Sequence, residues 1–590
     1  MEASEINHWV CVVLKAVLEG RIVSSDVEEA AGGLAVISAD ADRIKEYVFE
    51  SMKLPEIRGA SQIVRDLTEG DGTESLRGIL RSHGLPAECV VYAGGGSMLA
   101  IVPRTIADGL CQEMGRVYAS NTGAATLTAI NLKSTSKALA ESFSEQVKAN
   151  GVMLRARKES RQVGPFFEIS PLVRRCASCG ARPASGCDPR KKVEIRYLCR
   201  VCIKKVGKSG LQGQAKLEYF RKFEDQIKSE DFYLLGRPQG GKDLRGAHDL
   251  SEISRADRES LVALIYADGD GVGKQLSALK TLKEYSGKSR DLSFVMNCVV
   301  NRALAHWLKP VKPEKSEQPQ DDIHPFEIIT IGGDDVLVIV PAGAALPVAL
   351  EICDGFTKGL RDRGWQDAPG MSAGVVIAHS DNPIRFLRDL AEQLLKSAKK
   401  RAHREKVSCV DFAVLKSQSM VATNIEVVRD QAYSQTLGAR ERISITGKPF
   451  TLEELRRLLN EARLLEASAF PNSQSQMLRE LIAEARRCGR LWPWLRYQRQ
   501  KMRMKPIHRG VLRKIESDWM NRRANPQDLW PWLTSSPARN WSMYNAIWED
   551  LHEVRGLLPK EEPPEVRQQI DAEVDGIIKN AAREEDRYEA

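Results

Sequence analysis

One pattern occurs twice in this 590-residue chain, and it narrows the possible fold more than any other feature. "VVYAGGGSMLAIVP" fills 90–103, and "IITIGGDDVLVIVP" fills 328–341. Each is an apolar run broken by a short glycine-bearing turn, which predicts a buried β-hairpin. Placing Pro103 on Pro341 puts Gly94 and Gly95 on Gly332 and Gly333, and Gly96 and Ser97 on Asp334 and Asp335. Further upstream, "ISADAD" at 37–42 falls on "IYADGD" at 265–270. Asp40 and Gly96 are 56 positions apart, while Asp268 and Asp334 are 66 apart. The polar loop "KPVKPEKSEQPQDD" at 309–322 accounts for the extra ten.

Around these anchors the element order also repeats. In the first copy, 34–39 predicts a strand, and 51–70 a loop and then a helix opened by Gly59. Strands at 88–93 and 98–103, a helix near 105–118 and a strand near 125–132 follow. In the second copy, 261–280 predicts strand, turn and helix. A hairpin at 326–341, a helix at 344–362 and a strand at 371–379 come next. The helix "IRFLRDLAEQLLKSAKKRAHR" then leads to a strand at 407–412. The order β-α-β-β-α-β is that of a ferredoxin-like palm, and its recurrence marks an internal duplication. The expected fold is α+β, with two ferredoxin-like (βαββαβ) palms, a zinc ribbon insert and a C-terminal α-helical domain. The expected limits are an N-terminal helix at 1–30, a first palm at 31–164, the insert at 165–215, a linker at 216–255, a second palm at 256–420 and helices over 421–590.

The second hairpin carries the chemistry. Gly332 and Gly333 supply the positive φ that a type I′ or similar tight turn needs. They leave Asp334 and Asp335 unexplained. Bare neighbouring carboxylates raise each other's pKa, and a divalent cation removes that cost. Hard oxygen ligands suit Mg²⁺ or Mn²⁺. In a βαββαβ palm the end of the first strand lies beside the central turn, so Asp268 is expected close to Asp334. Gly269, Gly271 and Gly273 leave the next turn free of side chains, so backbone N–H groups could meet a triphosphate. Such an arrangement matches two-metal phosphoryl chemistry, in which no dedicated general base is required. In isolation "GGDD" also reads as an acidic surface turn; the aligned "DGDG" argues against that. Asp270 either assists the metals or only shapes the turn.

Cys176, Cys179, Cys199 and Cys202 form C-x₂-C, a nineteen-residue gap and C-x₂-C, the spacing of a four-thiolate zinc ribbon. Cys187 lies between the pairs as a bystander. Eight of the twelve cysteines are scattered singly in apolar segments, as buried free thiols in a reducing compartment are. The formal charge of +8 is modest for this length. No run of about twenty apolar residues occurs, and the start has acids where a signal peptide needs a basic end, so a cytoplasmic protein is expected. The basic, aromatic stretch 486–514 could track a nucleic-acid backbone. It could equally pack Trp and Leu inward and Arg outward, which helical spacing favours.

"GGDD" between strands, preceded by "YADGDGVGK", resembles the catalytic palm of the polymerase-cyclase large subunit of type III CRISPR effector complexes (the Csm/Cmr large subunit). "KLPEIRGASQIVRDL" and "VYAGGGSMLAIVP" are similar to that family's first palm, whose hairpin often lacks the acids. The resemblance spans roughly 30–420. Diguanylate cyclases share the palm but carry an aromatic residue after the acids, where Val336 stands here.

The resemblance implies a cyclic oligoadenylate synthase whose two palms face each other, each holding an ATP. Asp268, Asp334 and Asp335 would then hold the metals, with Gly332, Gly333, Gly269 and Asp270 around the nucleotide. Gly94, Gly95, Gly96 and Ser97 would cradle the second ATP in a non-reacting half, unless that half is a relic kept for packing. Lys399 best matches the lysine that related cyclases bring to the triphosphate, with Lys400 close behind; a solvated basic helix face is the equal alternative. Other type III subunits, guide RNA and target RNA are the implied partners, and no membrane. Many family members begin with an HD nuclease domain. About thirty residues precede the first palm here, so none is expected, nor is cutting of single-stranded DNA; His248-Asp249 reads as a chance dipeptide. Two rivals stay open: a stand-alone nucleotide cyclase or polymerase with another product, and a non-catalytic scaffold subunit.

Overall fold

The computed structural model describes residues 3–160, 172–188, 195–209, 218–230, 244–313, 322–415, 424–437, 441–523, 530, 532–535 and 542–589. The chain is a mixed α+β protein built around two sheets. The first holds Leu34–Asp42, Val90–Gly94, Ser97–Val102 and Thr126–Ser134. The leading strand, Leu34–Asp42, lies in the middle and pairs antiparallel with Ser97–Val102 on one side and Thr126–Ser134 on the other.

In the second sheet the same relative order recurs. Leu261–Gly269 pairs antiparallel with Asp335–Pro341 and Met371–His379, and Glu327–Ile331 lies outside Asp335–Pro341. Cys409–Val414 then adds in parallel, and Phe450–Thr451 closes that edge. Val262 to Ile265 and Ala267 are all fully buried, as a strand covered on both faces requires. Side chains alternate along a strand. Val262, Leu264 and Tyr266 therefore join the apolar cluster of the first unit. Ala263, Ile265 and Ala267 face the long helices Leu282–Trp307 and Ala342–Asp362 and the C-terminal region. The second sheet is thus the wall between the first unit and the rest of the molecule.

The two units are pinned together close to the hairpins. Arg58 forms an ion pair with Glu327, at 5% and 1% side-chain exposure, and also donates to the Ala247 carbonyl at 2.6 Å. The Ser61 hydroxyl donates to the Ile329 carbonyl. Gly59, expected to open a helix, sits inside the helix Leu54–Thr68. A Cβ there would lie 1.7 Å from the Lys205 carbonyl oxygen, so the glycine admits the helix Arg200–Gly207 at backbone contact.

Two expected regions differ in structure. The segment 216–255, expected as a linker, contains the helix Glu218–Glu230, whose Phe220, Phe223 and Ile227 pack into the second unit's core. Its Tyr219 hydroxyl accepts the Ile331 N–H at 3.0 Å, beside the second hairpin. The C-terminal region is helical only in part. A four-stranded sheet there runs Ser434–Leu437, Glu441–Ser444, Ser542–Asn545, Leu533–Ser535. Its strands are three or four residues long, too short to show a period, and the pairing of Glu441–Ser444 with Ser542–Asn545 joins segments far apart in the chain. In the helix Leu491–Met502 the expectation of Trp and Leu packed inward also fails. Leu491, Trp492 and Leu495 are exposed, while Pro493 and Tyr497 are buried.

Parts of the expected first palm (161–164), insert (165–171, 189–194, 210–215), linker (216–217, 231–243) and polar loop (314–321) lie outside the described residues, as do Leu529 and Pro531 of "LWPWL" at 529–533. Among the described residues, no helix is long and apolar enough to cross a membrane.

Candidate active site

The acids meet where the sheet register requires. Asp335 is the cross-strand partner of Asp268, and both fall on the face of Tyr266 and Leu337, toward the first unit. Asp334 stands in the turn, and its carbonyl accepts the Gly269 N–H at 2.9 Å. Asp268, Asp334 and Asp335 are therefore brought together. Their electrostatics follow from that crowding. Burial, then the neighbouring Asp268 and Asp335, push Asp334 up to about 7. Burial and then Asp268 push Asp335 up to about 6, against the opposing charge of Lys45. Lys45 belongs to the first unit and also lies over the Tyr266 ring, 4.9 Å from its centroid.

The glycines act differently from the expectation. Gly95 and Gly96 of the first hairpin have φ of 60° and 89°, as a two-residue primed turn needs. Gly332 and Gly333 do not lie in the left-handed region. The Gly332 N–H donates to the Asp335 carbonyl at 2.7 Å, closing a turn through Gly333 and Asp334. Gly332 is required for space: a Cβ there would lie 2.0 Å from Asp335 Oδ1. Gly269 likewise makes room for Asp334, whose Cβ would be 3.2 Å away. Gly271, Gly273 and Gly333 do face open space. In the first hairpin, Gly96 packs on Ile44 and Ala41, so its backbone is not bare. A Cβ on Gly95 would lie 3.9 Å from Gly332 Cα, so the two hairpin tips touch.

Lys399, on the helix Ile384–Glu405, donates to Asp268 Oδ2 and, at 3.0 Å, to the Gly269 carbonyl. Lys400 points elsewhere and pairs with Glu426 at 2.6 Å. Asp270 accepts from the Ser372 hydroxyl at 2.9 Å, while its buried Oδ1 has no hydrogen-bond partner. Burial pushes its pKa up. The three neighbouring carboxylates are of the oxygen-donor type that hard divalent cations take, although their oxygens do not all lie within 4.8 Å of one another as the four cysteine sulfurs do.

The first unit repeats the arrangement and adds two residues that sequence reasoning passed over, Lys158 and Thr128. Asp40 accepts from the Ser97 hydroxyl and from Lys158, which also donates to the Ala41 carbonyl at 3.3 Å. Thr128, cross-strand from Asp40, donates to Asp42 at 2.8 Å, as Ser372, cross-strand from Asp268, donates to Asp270. The duplication held the signal for Lys158: it lies on the helix Phe143–Glu159, which follows the first unit's last strand as the Lys399 helix follows Met371–His379. Tyr92 sits between the two acid groups. Burial raises its phenol, and both Asp40 and Asp334 add to that.

The Sγ atoms of Cys176, Cys179, Cys199 and Cys202 all lie within 4.8 Å of one another. Cys179 and Cys199 sulfurs are 3.9 Å apart, close to the ~3.8 Å that four Zn–S bonds of about 2.3 Å impose in a tetrahedron. The Ser178 N–H donates to Cys176 Sγ at 3.4 Å and the Cys202 N–H to Cys199 Sγ at 3.5 Å, as in paired knuckles. Cys187 is exposed and outside the cluster. His248-Asp249 has a plain structural role, since Asp249 caps the helix Leu250–Ser254 by accepting the Ser251 and Glu252 N–H groups.

Comparison with known proteins bears on the second unit most directly. Residues 261–408 match the family Cas10/Cmr2, second palm domain. That bears out the resemblance to the type III CRISPR large subunit. The CRISPR system Cmr subunit Cmr2 of Pyrococcus furiosus is 28% identical over 152 residues, which are 23% of this chain and 17% of that protein. The apo Csm1-Csm4 cassette is similar in fold, with a TM-score of 0.50 at 14% identity over 81% of this chain and 66% of that one. Less than two thirds of either relative's length is thus represented here.

Proposed function

We propose that this chain is a metal-dependent nucleotidyltransferase that joins ATP into cyclic oligoadenylates as a type III CRISPR large subunit. The observation that carries this reading is the cross-strand pairing of Asp335 with Asp268, with Asp334 in the adjoining turn. On this reading 31–164 and 256–420 are duplicated ferredoxin-like palms, and 421–590 is a C-terminal domain. The net reaction joins the 3′-oxygen of one ATP to the α-phosphorus of the next, and pyrophosphate leaves. Asp268, Asp334 and Asp335 would hold Mg²⁺ or Mn²⁺, which favours ionisation of the attacking hydroxyl and neutralises the leaving group when bound. Gly333, Gly271 and Gly273 leave backbone open to the triphosphate, and Lys399 supplies a cation beside it. The touching hairpin tips set the first palm's Asp40–Ser97 group next to the reacting one, as a second ATP needs. The four cysteines hold structural zinc. The partners are other effector subunits, with guide and target RNA reached through them.

Each labelled NTP, with Mg²⁺, partner subunits and target RNA, tests the proposal. Oligomers from ATP alone support it. A product from GTP favours a cyclase of another kind, and no turnover of any nucleotide leaves a scaffold.

A further inference from the structure

The lysine at the acid cluster does more than wait for a nucleotide. Lys399 donates to two oxygens at the end of the leading strand, the Asp268 carboxylate and the Gly269 carbonyl. Lys158 does the same in the first unit, with the Asp40 carboxylate and the Ala41 carbonyl. The two copies thus build one device, an ammonium set on the acid that ends a strand. What surrounds the device differs. Beside Asp40 stand Ser97 and Gly96, and the Ser97 hydroxyl completes the carboxylate's partners. Beside Asp268 stand Asp335 and Asp334, and Lys399 shares these three carboxylates with Lys45, whose charge acts on Asp335. Lys158 also pairs with Asp42 at 3.4 Å, and the first hairpin brings no acid of its own.

A divalent ion bound by Asp268 at the second cluster would sit beside the Lys399 ammonium, which already holds one of its carboxylate oxygens. Two cations a few ångströms apart repel, by about 1 kcal/mol per unit charge pair at 4 Å even in water and more in a half-buried cleft. Lys399 is 23% exposed and Asp268 30%, so that repulsion is only partly screened. The released side chain is long, flexible and single-charged, suited to a phosphate as a point charge.

Resting on the metal-site reading above, we propose that Lys399 is a displaceable counter-cation: it occupies Asp268 until a divalent ion takes its place, and is thereby freed for the triphosphate. Metal and nucleotide binding are then coupled through this side chain, while Lys158 remains a fixed cap on Asp40.

The test is Mn²⁺ titration of the full-length chain by electron paramagnetic resonance, with and without a non-hydrolysable ATP analogue. Without nucleotide, Lys399→Met and Lys399→Gln should bind Mn²⁺ at least threefold more tightly than wild type. The analogue should tighten Mn²⁺ binding less in these variants than in wild type. Lys400→Met, which loses only the Glu426 pair, should match wild type. Unchanged or weaker nucleotide-free Mn²⁺ binding in both Lys399 variants overturns the displacement model while leaving the metal site standing. Mn²⁺ binding insensitive to Asp334→Ala with Asp335→Ala overturns the metal-site reading itself, and the displacement with it.

Discussion

At the scale of the residue, the acids of the second hairpin are held at a cost to the fold. Asp334 and Asp335 are pushed to about 7 and about 6, so the folded, metal-free chain holds protons that the unfolded chain has already lost. A raised carboxyl pKa makes stability fall as pH rises from about 4 toward 7, and the full penalty stands above that. Asp334→Asn should therefore raise the melting temperature of metal-free protein at pH 8, by about 1–2 kcal/mol in stability, and change little at pH 4. Thermal unfolding in a chelator checks this, and a variant less stable than wild type at pH 8 contradicts it. Gly332→Ala should leave the fold intact but displace the Asp335 carboxylate, because the new Cβ would lie 2.0 Å from Oδ1. Mn²⁺ binding should fall at least tenfold in a titration, with the circular dichroism spectrum unchanged. The identity of these acids was legible, since paired carboxylates in an apolar hairpin have few structural reasons to exist. The role of Gly332 was not. It depends on where a neighbouring carboxylate folds back, and the turn rule that assigned it positive φ holds for Gly95 and Gly96 instead.

At the scale of the element, both hairpins and their leading strands could be read because each is a local pattern with a fixed period. The place of Gly59 inside its helix and the small C-terminal sheet could not. One depends on a backbone, at Lys205, almost 150 positions away, and the other on strands too short to show a period. The cysteine knuckles join these cases, since their spacing was plain but their attachment was not. The helix Arg200–Gly207 that starts at Cys199 presses against Gly59, Arg182 pairs with Glu50 at 2.7 Å, and Arg196 with Glu56 at 2.9 Å. Zinc is thus expected to brace the first unit's helix Leu54–Thr68 as well as its own loop. Stripping zinc, or Cys199→Ser, should lower the melting temperature and increase amide exchange across 54–68. Protection there equal to the zinc-loaded protein would separate the insert from that helix.

At the scale of the whole molecule, two similar sheets meet hairpin to hairpin, and a buried ion pair holds them in that relation. Arg58→Ala leaves Glu327 charged and nearly fully buried, so it should destabilise by about 3–5 kcal/mol. Urea unfolding measures this, and the paired change Arg58→Met with Glu327→Leu should recover most of the loss. The same contact sets the reacting acids against the first unit's Asp40 group, so activity should be more sensitive than stability to small shifts there. The resemblance implied two facing halves; the contacts that hold them, Arg58 with Glu327 and Ser61 with Ile329, join residues 269 and 268 positions apart, which no local pattern shows. The central claim is that Asp268, Asp334 and Asp335 act together on ATP. Chromatography of the products formed from ATP and Mg²⁺ by the assembled complex with target RNA tests it most directly. Cyclic oligoadenylates from wild type, and none from a folded chain carrying Asp334→Ala with Asp335→Ala, are the predicted result. Equal product from both would contradict it.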